Sequence, residues 1–148
     1  MSFSKLRAAI VAIALVLGAG NAKAVPTVGL YLAMDGSGSI SNSDFTTQIN
    51  AYTAALNAVF TANPSLYGQV GIGGSIFGGS ITEFFPVTTI GTPADLAALV
   101  AAISGLNPGR GGINTNSTAI GDALTAGSNA LLAYETSIGS NLKLLIDV

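Results

Sequence analysis

Histidine, cysteine and tryptophan are absent from the 148 residues. Without histidine or cysteine there can be no Ser-His-Asp or Cys-His catalysis, no thiolate zinc site and no disulfide. The missing cysteine leaves the redox compartment open, since it is compatible with export but does not require it. Charge is scarce as well. Charged residues make up 8% of the chain against 49% apolar, which excludes intrinsic disorder and suits one domain with a real core.

The few cations are unevenly placed. Lys5 and Arg7 precede the apolar run AAIVAIALVLGAG (8–20), and AKA (22–24) has the small-x-small form of a cleavage site. The run is shorter than the roughly 20 residues a bilayer span needs. Residues 1–24 are therefore expected to be a cleaved signal peptide, sending the protein to the periplasm, the cell surface or the medium. The competing reading is an uncleaved membrane anchor. The remainder keeps Arg110 and Lys143 against seven acids, a net charge of −5. No basic patch is left to displace counterions from phosphates, so nucleic-acid binding is excluded. Neither a lipidation motif nor a second long apolar run follows, and no membrane span is expected in the mature chain.

Beyond residue 24 the pattern alternates between strand and helix. TVGLYLAM (27–34) reads as a buried strand. Ser43 is the expected cap of a first helix, with Asp44 in its first turn and Phe45, Ile49, Tyr52, Leu56 and Val59 on its apolar face. Asn63-Pro64 closes that helix. QVGIGGSIF (69–77) and ITEFFPV (81–87), joined by Gly78-Gly79-Ser80, predict an antiparallel hairpin, and Pro86 places its second strand at an edge. Thr92-Pro93 opens a second helix with Leu96, Leu99, Val100 and Ile103 inward, ended by Gly105. After the polar loop NPGRGGINTNS (107–117), Ile120, Leu124, Gly127, Leu131 and Tyr134 mark one face of a third helix. LKLLIDV (142–148) is read as a central strand. The expected architecture is α/β: a doubly wound, mostly parallel sheet with helices on both faces and one antiparallel edge strand.

In such sheets ligands gather beyond the carboxyl ends of the strands. At that position, after the first strand, stands DGSGS (35–39). Asp35, Ser37 and Ser39 supply oxygen donors two residues apart, and Thr118 ends a second loop expected at the same rim. Oxygen-only donor sets suit hard divalent cations. Gly36 and Gly38 are expected to let the backbone turn sharply enough to aim both hydroxyls inward. A plain Gly/Ser turn capping the helix is the competing reading, and for Thr118 it is a simple N-cap. Arg110 reads as a solvated loop cation. Glu83 and Asp95 read as surface charges far from the rim.

DGSGS after an apolar strand resembles the D-x-S-x-S signature of von Willebrand factor type A (vWA) domains, and STAIGDAL (117–124) resembles their second metal-loop motif. The element order also follows that Rossmann-like fold, over residues 27–148. The resemblance implies a metal-ion-dependent adhesion site. Ser37 and Ser39 would ligate the cation directly, Asp35 through water, and Thr118 directly or through water. Mg²⁺ is the first choice, with Mn²⁺ or Ca²⁺ as alternatives, and a carboxylate from Asp or Glu of a protein or matrix partner would complete the shell. The resemblance also implies a third loop bearing an Asp. Asp147 either is that residue or precedes it, and residues 25–148 are then a vWA-like domain incomplete at its C-terminus. Two functions compete: an exported, non-catalytic binding or adhesion module, and a metal-dependent hydrolase using cation-activated water.

Overall fold

The structure, a computed structural model, describes residues 25–148; the expected signal peptide lies outside the described residues. Strand β1 (Val28–Asp35) organises the rest because its side chains alternate between two layers. Leu32 and Met34 face one way, into the larger apolar cluster, while Tyr31 and Ala33 face the other. Strands β2 (Val70–Phe77), β3 (Ile81–Thr89) and β4 (Lys143–Asp147) complete a sheet in the order β3-β2-β1-β4. β1 pairs in parallel with both β2 and β4, and the β2–β3 hairpin is antiparallel. Pro86 falls on β3, the outer strand of that side among the described residues, between Phe85 and Thr88 where the register against β2 is irregular, the kind of place in which a strand tolerates proline.

Three helices cover this mixed α/β sheet. Helix α1 (Asn42–Ala62) buries Phe45, Ile49, Leu56 and Phe60, and α2 (Pro93–Ser104) buries Leu96, Leu99 and Ile103. Both stripes enter one cluster with Leu32, Met34, Ile72 and Ile76. Each of these side chains, fully buried, contributes about 1.5–3 kcal/mol of transfer free energy. Helix α3 (Ile120–Ile138) lies against residues of the opposite parity: Ala123 packs with Ala33 and Phe77. Its approach is close because two contact points are glycines. A Cβ on Gly127 would stand 2.7 Å from the Tyr31 ring, and one on Gly71 would stand 2.2 Å from the Tyr134 ring.

Several expectations are corrected. Ser41, not Ser43, caps α1: its backbone is extended and its Oγ accepts the Asp44 N–H. Val59 is 48% exposed and Phe60 takes the inward position, one residue further round the helix. In α3 the buried stripe begins at Ala123, leaving Ile120 and Leu124 exposed. β4 is not central among the described strands. It pairs with β1 alone, so it forms the outer strand opposite β3. The α2 start matches expectation and is reinforced, since Thr92 and Asp95 form a reciprocal capping box. Asp95 is thereby committed to the helix start. Glu83 is exposed but not remote from the rim: it pairs with Ser75, only two positions from Ile81 at the hairpin turn.

Candidate functional site

β1 ends at Asp35, and residues 36–41 form the loop that delivers the chain to α1. The Ser37 N–H donates to Asp35 Oδ1 at 2.8 Å, a local turn of the kind aspartate favours. Ser37 is buried, and its Oγ lies 3.0 Å from Ser39 Oγ, which is exposed. One carboxylate and two hydroxyls thus share a single tight loop at the carboxyl end of the strand.

The glycines between them serve a different purpose from the one expected. Neither Gly36 nor Gly38 has a positive φ. Their requirement is space. A Cβ on Gly38 would stand 2.9 Å from the Thr115 carbonyl oxygen, and one on Gly36 would meet Ile76 and Ile113 within 2.8 Å.

The second loop does meet the first. Gly38 N–H donates to Thr115 O at 2.8 Å, Gly79 N–H to Asn114 O at 2.6 Å, and Ala119 N–H to Gly78 O at 2.8 Å. The loop is therefore stitched both to DGSGS and to the hairpin turn. Its contact with DGSGS runs through Thr115 rather than Thr118. Thr118 is exposed and does not cap α3, whose N-cap is Ala119 with no side-chain bond. Asn114 and Asn116 are loop formers: the Asn116 N–H donates to Asn114 Oδ1.

Arg110 is the residue that sequence reasoning misjudged. It is not a solvated cation but 7% exposed, lodged beneath DGSGS. Its Nη1 donates to Gly36 O and Ser37 O, and its Nη2 to Ile40 O (2.6 Å) and Asn42 Oδ1 (3.1 Å). The guanidinium carbon stands 5.0 Å over the Phe45 ring. A buried charge is tolerable only when its donors are satisfied, and here four neutral acceptors serve it. The fork draws three loop carbonyls inward and so fixes the path on which Ser37 and Ser39 sit. Arg110 itself has φ 50°, in the left-handed region uncommon for a residue with a Cβ.

Asp147 stands apart. In register it pairs with Leu32, three positions before Asp35. Its Oδ2 accepts the Tyr52 hydroxyl at 2.9 Å, so it faces α1. Burial, then the hydrogen bond and charge of Asp147, push the Tyr52 phenol up to about 12. Other carboxylates flank the rim: Asp44 and Asp122 lie in the first turns of α1 and α3, and Asp44 is bonded to the Ser41 hydroxyl at 2.6 Å. Among the described residues no group of three or more His, Cys, Asp or Glu side chains is assembled. Any cation at this rim would rest on one carboxylate, Asp35, and on hydroxyls. A cavity of about 740 Å³ lined by Tyr67, Thr89, Thr92 and Asp95 lies elsewhere, at the opposite end of β1.

No protein-family model and no curated protein matches the chain. Solved structures do. The chain is similar to the pilus adhesin SpaC from Lactobacillus rhamnosus GG in an open conformation, with TM-score 0.58 and 20% identity over 82% of this chain. It is also similar to the conserved hypothetical protein BatB from Bacteroides thetaiotaomicron, with TM-score 0.50 and 18% identity over 70% of this chain. The chain spans 14% of the adhesin and 45% of BatB. At such identities the likeness concerns the fold, and it is consistent with a vWA-like arrangement. No helix among the described residues is long and apolar enough to cross a membrane.

Proposed function

We propose that this protein is an exported binding module of the vWA type, doubly wound, which engages a carboxylate of a protein or matrix partner through a divalent cation. Asp35, Ser37 and Ser39 would hold the cation, with Thr118 completing the protein's share from the second loop. The observation that carries this reading is the hydroxyl pair. Adjacent oxygens around an octahedral Mg²⁺, each about 2.1 Å from it, lie about 3.0 Å from one another. Ser37 Oγ and Ser39 Oγ, hydrogen-bonded to each other, are 3.0 Å apart, so both could turn their lone pairs to one cation with little movement. Ca²⁺, with ligands at about 2.3–2.6 Å in a seven-fold shell, also places neighbouring oxygens about 3 Å apart, so the spacing admits Mg²⁺, Mn²⁺ or Ca²⁺, and Mg²⁺ stays first because it keeps several waters in its shell.

When bound, the cation would supply an electrophilic position for an incoming Asp or Glu, sharpened by the low charge of its protein ligands. The chain's own part is to keep the donors in place. The Arg110 fork restrains the loop from beneath, and the Gly38–Thr115 bond ties it to the second loop. That one fold neighbour is an adhesin supports a surface-binding role. Hydrolysis would need a general base within reach of the site, and Asp44, the next acid along the chain, is engaged by Ser41. The test is a pull-down from culture supernatant or matrix in Mg²⁺ and in EDTA. Capture of a partner in Mg²⁺ alone is expected; equal capture in both would overturn the reading.

A further inference from the structure

We propose, building on the cation reading above, that Arg110 determines the specificity of the site through its charge. Its buried guanidinium weakens the loop's hold on a divalent cation alone and strengthens the loaded site's hold on a carboxylate over a neutral oxygen ligand. An imbalance of charge lies behind this. Arg110 is buried, and its four hydrogen-bond acceptors, Gly36 O, Ser37 O, Ile40 O and Asn42 Oδ1, are all neutral. They satisfy its donors but do not cancel its charge. The Phe45 ring, 5.0 Å from the guanidinium carbon, offers only a quadrupole.

Position gives that charge its effect. Nη1 donates to the carbonyl of Ser37, whose hydroxyl faces Ser39 Oγ, so the guanidinium lies against the main chain that presents the donors. It does so from the buried side, where water screens it poorly. Asp35 is the one carboxylate of the DGSGS loop, and its Oδ1 is engaged by the Ser37 N–H. Arg110 and Asp35 sum to zero, so a divalent ion here leaves two positive units unbalanced. Were residue 110 neutral, one unit would remain. The extra unit opposes the cation and draws in an anion, while a neutral carbonyl or hydroxyl gains little from it. Asp44 and Asp122, in the first turns of α1 and α3, are exposed, and solvent screens them from this balance.

Mn²⁺ serves as the probe, its free concentration read by electron paramagnetic resonance at fixed ionic strength in chloride, in acetate, and with acetamide as the neutral analogue. Acetate should tighten Mn²⁺ binding by the parent, and acetamide should not. Asn42→Asp is the decisive variant. Residue 42 is exposed at the start of α1, where an acid suits the helix, and its carboxylate would neutralise the guanidinium without breaking the fork. It should bind Mn²⁺ about tenfold more tightly than the parent in chloride and lose most of the acetate effect. Ser43→Asp adds the same charge at an exposed residue that Arg110 does not bond, and should shift Mn²⁺ affinity by less than about threefold. Arg110→Lys keeps the charge but not the fork, so it should retain the preference for acetate over acetamide even where its Mn²⁺ affinity falls. If Asn42→Asp binds Mn²⁺ no more tightly than Ser43→Asp, or keeps the parent's full acetate effect, the role given to Arg110 is overturned and the cation reading stands. If neither the parent nor Asn42→Asp binds Mn²⁺ with acetate present, the cation reading falls and this role with it.

Discussion

Tyr52 and Arg110 show how far a single side chain can bias this fold. The Tyr52 phenol is held near 12 because its ionised form would be partly buried and would face Asp147. In the unfolded chain it titrates near the usual 10. The unfolded state therefore loses its proton first as pH rises. The stabilisation is complete below pH 10 and is lost as pH climbs through about 12. Tyr31, whose phenol is also raised by burial, acts with the same sign. Tyr52→Phe is expected to flatten the alkaline fall in stability between those pH values, measured by urea unfolding at successive pH. An unchanged slope would mean that the phenol does not govern it. Arg110 works through geometry instead. Arg110→Met would strand the Gly36 and Ile40 carbonyls without a donor and leave Ser37 O with the Ile40 N–H alone, and a loss of about 2–4 kcal/mol is expected in equilibrium unfolding. Arg110→Lys should recover only part of it, because an ammonium group cannot span two pairs of acceptors as a planar fork does.

At the scale of elements, the loop between β1 and α1 should separate function from folding. Ser39 is exposed and its hydroxyl contacts only Ser37 Oγ. Ser39→Ala is therefore expected to leave the circular dichroism spectrum and EDTA-state stability within about 0.5 kcal/mol of the parent. Partner capture in Mg²⁺ should fall sharply in the same preparation. Full capture with a normal spectrum would return the loop to an ordinary helix-capping turn. What the sequence made legible here was local. β1, the hairpin, the capped α2 and the order of loops follow from apolar runs, turn residues and caps that lie within a few positions of one another. The cap of α1 was misplaced by two residues because Ser41 and Ser43 are chemically equivalent and only the extended backbone at Ser41 distinguishes them. The burial of Arg110 was not legible, because its acceptors lie about seventy residues away and only the fold brings them together. The role of Gly36 and Gly38 was misread for the same reason: the atoms that crowd them belong to β2 and to the second loop. The place of β4 in the sheet depends on strand order, to which an apolar run of five residues carries no pointer.

For the molecule as a whole, cation binding and stability are linked. A ligand that binds only the folded state adds RT ln(1 + [L]/Kd), about 2.7 kcal/mol when the free ion is at roughly 100 times Kd. For a domain near this size that corresponds to a rise of roughly 8–14 °C in Tm. A donor set of one carboxylate and a few hydroxyls, which leaves room for several waters, makes Mg²⁺ the ion expected to produce the largest rise, with Mn²⁺ and Ca²⁺ as the alternatives to rank against it. Thermal melts in each ion and in EDTA check the order. A general salt effect would move the parent and a Ser37→Ala, Ser39→Ala double variant alike, because screening acts on the whole charge distribution. A site at the loop would raise the parent's Tm and leave the double variant at its EDTA value. The comparison must be made between variants, since the acidic surface alone gives divalent ions something to screen. Coincident melts of the parent in millimolar Mg²⁺ and in EDTA would remove the cation from the mechanism. DGSGS would then be a turn held by Arg110, and the partner, if any, would have to be sought on another surface.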